Sequence, residues 1–430
     1  MAQRLIRVFE HEKLTIHKDD KGRFLQSDEL ARLYDFNDRN NNIYFTGIRN
    51  GVKFSNYVGV IQIGKLTLEI LPKADIKNQQ TEDDYNVWQA VLLRMLAACN
   101  QVNVHSASEA ALSRRYHSLL DLYFMIYLDE LSQLIHCGLI KKYRNTRGNL
   151  SSLKGRIVFS KNIQHNIVHK ERLYTEYQLY DYEHLLNQVL LKGLNLLRIV
   201  SQNPLITDRI HRIKLDFPEI REIPITENHF ERLQLNRKSE PYRRALDIAR
   251  MIILNYKPDI KSGKENMLAL LFDMNKLWEE YVYKMLLKEA DETTSVSFQN
   301  RKKFWEDKSI RPDLVVTVKN QEGVKKQFVI DTKWKVIDAS NPSDDDLKQM
   351  FAYNAYWEAD RSMLLYPKTR EQSEKFGVFH KAIPMQTRCK IGFVDVLDKN
   401  GGLNKKIGRE ILEKLYGGYS GDTAPHSGPN

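Results

Sequence analysis

Cysteine is scarce in this chain, and long apolar runs are absent. The three cysteines, Cys99, Cys137 and Cys389, lack the paired spacing of a zinc knuckle or a disulfide framework. Such sparse cysteine suits a reducing compartment, and we expect a cytoplasmic protein. No run of about 18 apolar residues is present, and the first ten residues lack the apolar core of a signal peptide. The sequence therefore predicts neither a transmembrane helix nor a secretory signal.

A phosphate-binding loop is also missing. The pattern Gly-x-x-x-x-Gly-Lys-Ser/Thr, whose backbone amides and lysine hold the phosphates of a nucleotide, occurs nowhere in the sequence. Any movement that nucleotide hydrolysis drives must therefore be supplied by another chain.

The composition is that of a globular protein with an excess of positive charge. The 430 residues are 42% hydrophobic and 28% charged, which suffices for two or three domains with cores of their own. The formal net charge is +11. One explanation is a polyanionic partner, because neutralisation of phosphates dominates non-specific affinity for DNA. The other is that the charge only keeps the protein soluble.

Sequence patterns divide the chain into four parts. Apolar residues at Val58–Ile63 and Leu66–Leu71, separated by a glycine-led pair, predict a β-hairpin. Apolar residues at helical spacing follow, and small, polar, glycine- and proline-rich residues end the chain. The expected parts are a β-rich unit at 1–80, a mainly helical region at 81–262, an α/β domain at 263–416 and a disordered tail at 417–430.

Basic and aromatic residues are interleaved within the helical region. Lys141–Gly148 reads KKYRNTRG, and Leu153–Ile157 adds a lysine and an arginine. Cations beside aromatic rings can hold a nucleic-acid backbone. This stretch is therefore either a contact for DNA or a partner, or a solvated loop, and the sequence leaves both interpretations open.

Two acids and a lysine lie at a predicted hairpin towards the C-terminus. Asp313 precedes the strand LVVTV, and Asp331 and Lys333 end the next strand, QFVIDTK. Because side chains alternate between the faces of a strand, Asp331 and Lys333 share a face. Carboxylates suit Mg²⁺, which activates a bound water, and a lysine can neutralise charge that develops on a phosphate. The combination indicates a phosphodiesterase, although an isolated Asp-x-Lys is often a solvated strand end.

Helices before and after this hairpin carry three more candidates. An apolar stripe predicts a helix at about 267–289. Glu279 falls at the margin of its buried face and either reaches the site or is an ordinary boundary residue. A second helix, predicted at about 344–358, places Gln349 and Tyr353 on one face. This pair either binds phosphate or orients the lysine, or else it caps the helix or fills the core.

The order of these elements predicts the fold. Strands at Ser362–Tyr366 and Ile391–Val396 complete a series of helix, hairpin, helix and strand. Such a series forms a mixed sheet flanked by helices. The expected fold class is α/β for this domain, and α+β for the chain with its β-rich start and helical middle.

These residues carry a resemblance to a known family. Glu279, Asp313 and Asp331-Thr332-Lys333 resemble the PD-(D/E)xK nuclease superfamily, and Gln349 with Tyr353 resembles the Gln-x-x-x-Tyr element of its RecB-like branch. Three further segments resemble McrC, the nuclease subunit of the McrBC modification-dependent restriction systems: Leu153–Ile157, Asp181–Asn187 and Phe272–Glu279. The resemblance covers most of the chain and is strongest over 267–367.

The resemblance implies roles for the candidate residues. Asp313, Asp331 and Glu279 would be metal ligands, with the Thr332 carbonyl as a further candidate, and Lys333 would be the catalytic lysine. Gln349 and Tyr353 would be accessory residues. The expected cofactor is Mg²⁺, with Mn²⁺ as a substitute.

The resemblance also implies partners. The β-rich part at 1–80 would dock into the pore of a hexameric AAA+ GTPase ring of the McrB kind and stimulate its hydrolysis. The chain would cut DNA once the motor has recognised modified DNA, in a system of antiviral defence. Two alternatives stay open: a non-catalytic activator that bridges two motor rings, and a stand-alone repair nuclease that needs no motor.

Overall fold

A computed structural model of the chain describes residues 4–73, 81–99, 118–257, 266–319, 325–335, 337, 342–359, 361–369, 374, 376–380 and 387–416. The tail at 417–430, predicted to be disordered, lies outside these residues. The chain divides into two compact units. The first comprises Met1–Leu5, Val60–Leu68 and Tyr116–Leu270, and the second comprises Ile6–Gly59, Glu69–Arg115 and Leu271–Asn430. The four-part division expected from the sequence stays a prediction.

Helices and strands alternate along the described residues. The helices are α1 (Ser27–Arg39), α2 (Glu82–Ala98), α3 (Leu119–Cys137), α4 (Phe159–Asn166), α5 (Leu185–Val200), α6 (Pro204–Asp216), α7 (Glu227–Glu231), α8 (Arg243–Asn255), α9 (Met274–Glu289), α10 (Asp344–Trp357) and α11 (Ile407–Tyr416), with a 3₁₀ turn at Glu240–Tyr242. The strands are β1 (Arg4–Phe9), β2 (Lys13–Thr15), β3 (Phe45–Ile48), β4 (Gly51–Phe54), β5 (Tyr57–Ile63), β6 (Leu66–Leu71), β7 (Lys142–Leu150), β8 (Arg156–Ile157), β9 (Leu173–Asp181), β10 (Tyr256–Lys257), β11 (Met267–Asp273), β12 (Thr294–Phe298), β13 (Lys302–Trp305), β14 (Lys308–Ile310), β15 (Leu314–Lys319), β16 (Lys325–Thr332), β17 (Arg361–Pro367), β18 (Phe376–Val378) and β19 (Arg388–Val394). In the part of the chain that the structure describes, no helix is long and apolar enough to cross a membrane.

The N-terminal residues form the β-rich region that the sequence predicts. Strands β5 and β6 are neighbours in a five-stranded sheet of order β1-β6-β5-β11-β10, which confirms the predicted hairpin. A second, antiparallel sheet has the order β2-β4-β3. Helix α1, which the sequence reading did not include, buries Leu30, Leu33 and Phe36 along one face.

Helices α3, α5, α6 and α8 pack together in the first unit. The hydroxyl of Tyr127 on α3 donates to the Leu190 carbonyl on α5 over 2.7 Å, and both residues are fully buried. This packing agrees with the mainly helical character expected for the middle of the chain.

Most of the basic stretch in that region is a strand, so its interpretation as a solvated loop is wrong for residues 142–148, whereas residues 153–155 are exposed between β7 and β8. It falls largely within β7, which pairs with β9 in an antiparallel sheet of order β7-β9-β8. Partly buried and exposed residues alternate along β7, as they do in a strand with one covered face. Arg144 pairs with Asp181 at 2.9 Å, and Arg147 and Arg156 pair with Glu176 at 3.2 and 2.9 Å. Contact with DNA or a partner stays a prediction.

The helix predicted at about 267–289 is wrong over its first seven residues, which form β11. Residues 267–270 are all buried, and β11 lies inside its sheet between β5 and β10. A continuous apolar run fits a strand covered on both faces, whereas a helical stripe buries only one side. Helix α9 begins at Met274 because the Asp273 side chain accepts a hydrogen bond from the Asn275 N–H at 3.0 Å.

A mixed sheet, as predicted, forms the centre of the C-terminal part, and it has six strands. Its order is β12-β15-β16-β17-β19-β18; β15 runs antiparallel to β12 and β16, whereas β16, β17 and β19 are parallel. Val329 packs with Met350 of α10, and its neighbour Phe328 meets Tyr416 of α11 at 5.6 Å between ring centroids. Because adjacent strand residues point to opposite faces, helices cover both sides of this sheet.

Candidate active site

Asp313 directly precedes β15, and Asp331 lies near the end of β16, the antiparallel neighbour of β15. The register pairs Leu314 with Ile330. Extending this register by one residue places Asp313 opposite Asp331. Residues directly opposite in such a pair share a face, with Cβ atoms about 5 Å apart. That face is the one on which Val329 packs towards α10. The structure thus brings together the two acids that the sequence singled out.

Thr332 holds the carboxylate of Asp313 in place. Its backbone N–H donates to Asp313 Oδ2 over 2.7 Å, and its hydroxyl donates to the same oxygen over 3.0 Å. The carboxylate cannot turn without breaking both hydrogen bonds, each worth about 1 kcal/mol or more for a charged acceptor. The role of the Thr332 carbonyl as a metal ligand stays a prediction.

Lys333 forms an ion pair with one of these acids: its Nζ lies 2.6 Å from Asp331 Oδ2. Its backbone N–H donates to the Leu365 carbonyl of β17 over 2.9 Å, which fixes the point where the chain leaves the sheet. Burial lowers the pKa of the Lys333 ammonium, but the nearby carboxylates, Asp331 foremost, outweigh it and raise the pKa. Since its side chain is still 25% exposed, Lys333 is a charged cation within reach of a ligand.

Glu279 reaches the same site from helix α9. It is 9% exposed, and its Oε1 accepts a hydrogen bond from Gln299 Nε2 at 2.8 Å. Burial raises the pKa of this carboxyl; Gln299 and the charge of Arg311 oppose that rise, and the charge of Asp331 adds to it. The predicted position at the margin of the buried face is confirmed, although the helix starts later than expected.

Burial also raises the pKa of the two opposed acids. Asp331 is 2% exposed, and burial, reinforced by the charge of Asp313, raises its pKa to about 7. Burial, followed by the charge of Glu279, raises the pKa of Asp313 to about 6. The charge of a neighbouring acid thus helps to raise the pKa of each of the three carboxyls. A divalent cation among them would offset this negative charge.

Gln349 and Tyr353 share a helix face, as their spacing predicts. Gln349 Nε2 donates to the Tyr353 hydroxyl over 2.6 Å, and that hydroxyl donates to the Arg311 carbonyl over 2.8 Å. Arg311 lies two residues before Asp313. The pair therefore fixes the segment that leads into the first acid, and its predicted contact with phosphate stays a prediction.

Sequence reasoning missed Asp346 and Gln299. Asp346 Oδ2 accepts a hydrogen bond from Lys335 Nζ at 2.9 Å, and its Oδ1 is 3.6 Å from Lys333 Nζ. It stands in a run of three aspartates that follows the helix cap Ser343, and such a run is typical of any helix start. The sequence does not point to Gln299, because it lies after β12 in an irregular segment and is defined by contacts with distant residues. Its side chain donates to Glu279, and its backbone N–H donates to the Asp313 carbonyl over 2.8 Å.

The donor set fits a hard divalent cation. Asp313, Asp331 and Glu279 offer carboxylate oxygens, the ligands that Mg²⁺ and Mn²⁺ prefer. Among the described residues, no group of three His, Cys, Asp or Glu side chains is already arranged around a common point for a metal ion. A metal ion would compete with Lys333 for Asp331 and with Thr332 for Asp313. The metal site stays a prediction that the chemistry of these residues supports.

Comparison with models of protein families shows which family the chain belongs to. The family described as McrBC 5-methylcytosine restriction system component matches residues 52–367. The chain belongs to this family. The matched range includes Glu279, Asp313, Asp331, Lys333 and the pair Gln349 and Tyr353. It leaves out the first 51 residues of the chain, and β1 and β2 with them.

Solved structures of McrBC assemblies share the fold. A half-complex from a tetradecameric assembly of Thermococcus gammatolerans McrB AAA+ hexamers with bound McrC contains a chain that is 19% identical, with 96% of this chain and 100% of that chain covered and a TM-score of 0.71. A chain in a cryo-EM structure of the Thermococcus gammatolerans McrBC complex is also 19% identical, with coverages of 66% and 87% and a TM-score of 0.50. A search of curated proteins finds no match.

Proposed function

We propose that this McrBC-family chain is the nuclease subunit of a modification-dependent restriction complex, and that it cuts DNA with Mg²⁺ when an AAA+ GTPase partner activates it. The observation that carries the proposal is the opposition of Asp313 and Asp331 beside Lys333. Stability does not explain the two acids, because burying carboxylates without full compensation lowers the free energy of unfolding. Buried acids with a raised pKa beside an accessible cation are typical of a functional site.

Each residue of the site has a task in phosphodiester hydrolysis. Asp313, Asp331 and Glu279 would hold Mg²⁺, which when bound activates a water and shields the phosphate. Lys333 stabilises the negative charge that develops on the phosphate, because its ammonium is charged and partly exposed. Thr332, Gln349 and Tyr353 keep the segment around Asp313 in place and need not touch the DNA.

Two observations support a motor partner, and a third supports DNA as a ligand. The chain has no phosphate-binding loop of its own, so translocation requires a second protein. The similar solved chain is described in an assembly of McrB AAA+ hexamers with bound McrC. The net charge of +11 favours DNA at some point on the surface. On this proposal the N-terminal part at 1–80 docks into the motor and stimulates its GTP hydrolysis.

Alanine variants test the site. The chain, assembled with an McrB-type AAA+ hexamer, GTP and Mg²⁺, is incubated with plasmid DNA that contains 5-methylcytosine. Asp331→Ala and Lys333→Ala should each reduce cleavage by about a thousandfold or more, with folding and GTPase stimulation intact. Lys348→Ala serves as the control, since Lys348 is exposed and pairs only with Asp345 among the described contacts.

The outcome separates the proposal from its alternatives. Full cleavage by Asp331→Ala and Lys333→Ala would refute the assignment of the site. If the wild-type assembly never nicks methylated, hydroxymethylated or unmethylated DNA, the chain is a non-catalytic activator of the motor. Substantial cutting by the chain without a motor would favour a stand-alone nuclease.

A further inference from the structure

A buried hydrogen bond connects the start of the chain to the loop that carries Lys333. The indole Nε1–H of Trp334 donates to Glu10 Oε1 over 2.7 Å, between residues 324 positions apart in the sequence. Glu10 is 4% exposed and Trp334 is 5% exposed. The two residues belong to the same compact unit. The contact therefore lies inside the unit that contains the candidate site.

Glu10 is fixed to the ends of two strands. Its backbone N–H donates to the Leu71 carbonyl over 2.9 Å, and its Oε1 also accepts from the Lys73 backbone N–H at 2.8 Å. The carboxylate thus stands where β1 and β6 end, and its position follows from those strands. Any movement of these strand ends would move the acceptor of Trp334.

Trp334 is placed between two residues of the candidate site. It follows Lys333 directly in the chain, and its ring lies 5.2 Å from the ring of Trp278, measured between centroids. Trp278 is fully buried and directly precedes Glu279. One indole therefore constrains the backbone beside the catalytic lysine and the side-chain packing beside the helix acid.

Stability alone does not explain a glutamate at position 10. Its second oxygen, Oε2, is buried and accepts no hydrogen bond from any described residue; His11 Nε2 is 3.9 Å away and belongs to a side chain that is 61% exposed. Burial accordingly raises the pKa of Glu10 to about 7, against the hydrogen bonds from Trp334 and Lys73. An apolar side chain would avoid the cost of desolvating this carboxyl. What an apolar side chain cannot do is accept the indole N–H.

We propose that Glu10 is a positioning residue for the nuclease site, which acts through Trp334 to hold Lys333 and Glu279 in the cutting geometry. The inference rests on the proposed nuclease function and extends it. It gives the N-terminal segment, which is expected to dock the motor, a direct physical link to the cutting site. A partner that shifts the ends of β1 and β6 would then change the cleavage rate through a single buried contact.

Four variants isolate the contact. Glu10→Ala removes the acceptor, and Trp334→Phe removes the donor but keeps an aromatic ring beside Trp278. Glu10→Gln keeps a side-chain oxygen that can accept from Trp334 and should restore function. Glu69→Ala is the matched control for the loss of a buried glutamate: Glu69 is 0% exposed and accepts hydrogen bonds from Arg7 and Gln89.

Three measurements distinguish positioning from stability. In the motor complex, with GTP and Mg²⁺ and plasmid DNA containing 5-methylcytosine, Glu10→Ala and Trp334→Phe should slow single-turnover cleavage by about tenfold to a hundredfold, as expected when catalytic groups shift by about 1 Å. Binding of Mn²⁺ to the chain alone, followed by electron paramagnetic resonance, should weaken only slightly, because Asp313 and Asp331 stay in place, and stimulation of the motor GTPase should stay at the wild-type level. Glu10→Gln should cleave at nearly the wild-type rate.

Other results overturn the inference. Cleavage at the wild-type rate by both Glu10→Ala and Trp334→Phe would show that the contact does not position the site. A parallel loss of cleavage, Mn²⁺ binding and GTPase stimulation, or an equal loss in Glu69→Ala, would show a purely structural role. Asp331→Ala, measured alongside, keeps the two proposals apart: if it cuts like the wild type, the proposed site itself is wrong.

Discussion

Asp346 Oδ1 lies 3.6 Å from the ammonium of Lys333, which is also 2.6 Å from Asp331 Oδ2. The same carboxylate binds Lys335 at 2.9 Å. Burial raises the pKa of Asp346, but hydrogen bonds from Lys335 and Ser343 outweigh it and lower the pKa below its usual range. Asp346 therefore stays ionised and offers Lys333 a second counter-ion.

Removing the charge of Asp346 should slow cleavage. With Asp346→Asn, Lys333 keeps Asp331 as its one close counter-ion among the described residues, so the lysine competes harder with a metal ion for that carboxylate. We expect the cleavage rate at limiting Mg²⁺ to fall by about tenfold, with partial recovery at high Mg²⁺. The control is Asp345→Asn, the neighbouring aspartate, whose side chain is 93% exposed. Equal rates for the two variants would contradict a role for Asp346.

The hydroxyl of Tyr353 should matter for the segment before Asp313. Tyr353→Phe leaves the Arg311 carbonyl and the Gln349 amide without their shared partner. The free energy of unfolding should fall by about 1 kcal/mol, and cleavage should fall more than this loss of stability explains. Tyr356→Phe is a matched control on the same helix, because the Tyr356 hydroxyl makes an exposed hydrogen bond, to the Phe304 carbonyl at 3.2 Å. Denaturant unfolding and cleavage rates of both variants check the prediction.

The part of the site that lies close together in sequence could be predicted from it. Asp313, Asp331 and Lys333 stand on one hairpin, where strand alternation fixes which side chains share a face. Gln349 and Tyr353 are one helical turn apart, so their contact also follows from local geometry. The sequence places Glu279 at the margin of the buried helix face because its apolar neighbours repeat with the helical period.

Residues defined by long-range contacts could not be predicted. Glu10 and Trp334 meet across 324 positions, and neither sits in a pattern that points to the other. Asp346 belongs to an acidic run that any helix start could contain. The sequence alone does not fix the start of helix α9, because a short apolar run fits a buried strand and a helix equally well until its partners in the sheet are known.

The identity of the metal ion should decide whether DNA is cut. Three carboxylates favour Mg²⁺ or Mn²⁺ in octahedral coordination, whereas Ca²⁺ is larger and less demanding in geometry. We expect cleavage in Mg²⁺ and Mn²⁺, binding without appreciable cleavage in Ca²⁺, and no cleavage in a chelator. Gel assays of plasmid nicking in each ion check this. Robust turnover in the chelator would count against a metal mechanism.

Metal affinity should rise with pH in the range where Asp313 and Asp331 lose their protons. Their pKa values are raised from the usual 3.8 to about 6 and about 7. Between about pH 3.8 and about pH 7 the folded chain keeps protons on these two carboxyls that the unfolded chain has lost. The stability that this tighter proton binding contributes is therefore fully present below about pH 3.8 and is lost as the pH rises through about 7. A metal ion binds the deprotonated carboxylates and competes with those protons.

The melting temperature of the chain should therefore respond to Mn²⁺ more strongly at about pH 8 than at about pH 5.5, where protons compete for the same oxygens. Asp331→Asn removes one titrating ligand, so the variant should be more stable than the wild type without metal at the higher pH and should gain little from added Mn²⁺. Asp345→Asn, exposed and outside the acid pair, should behave like the wild type. A shift in melting temperature that is independent of pH, or that persists in Asp331→Asn, would mean that the ion binds elsewhere on the protein.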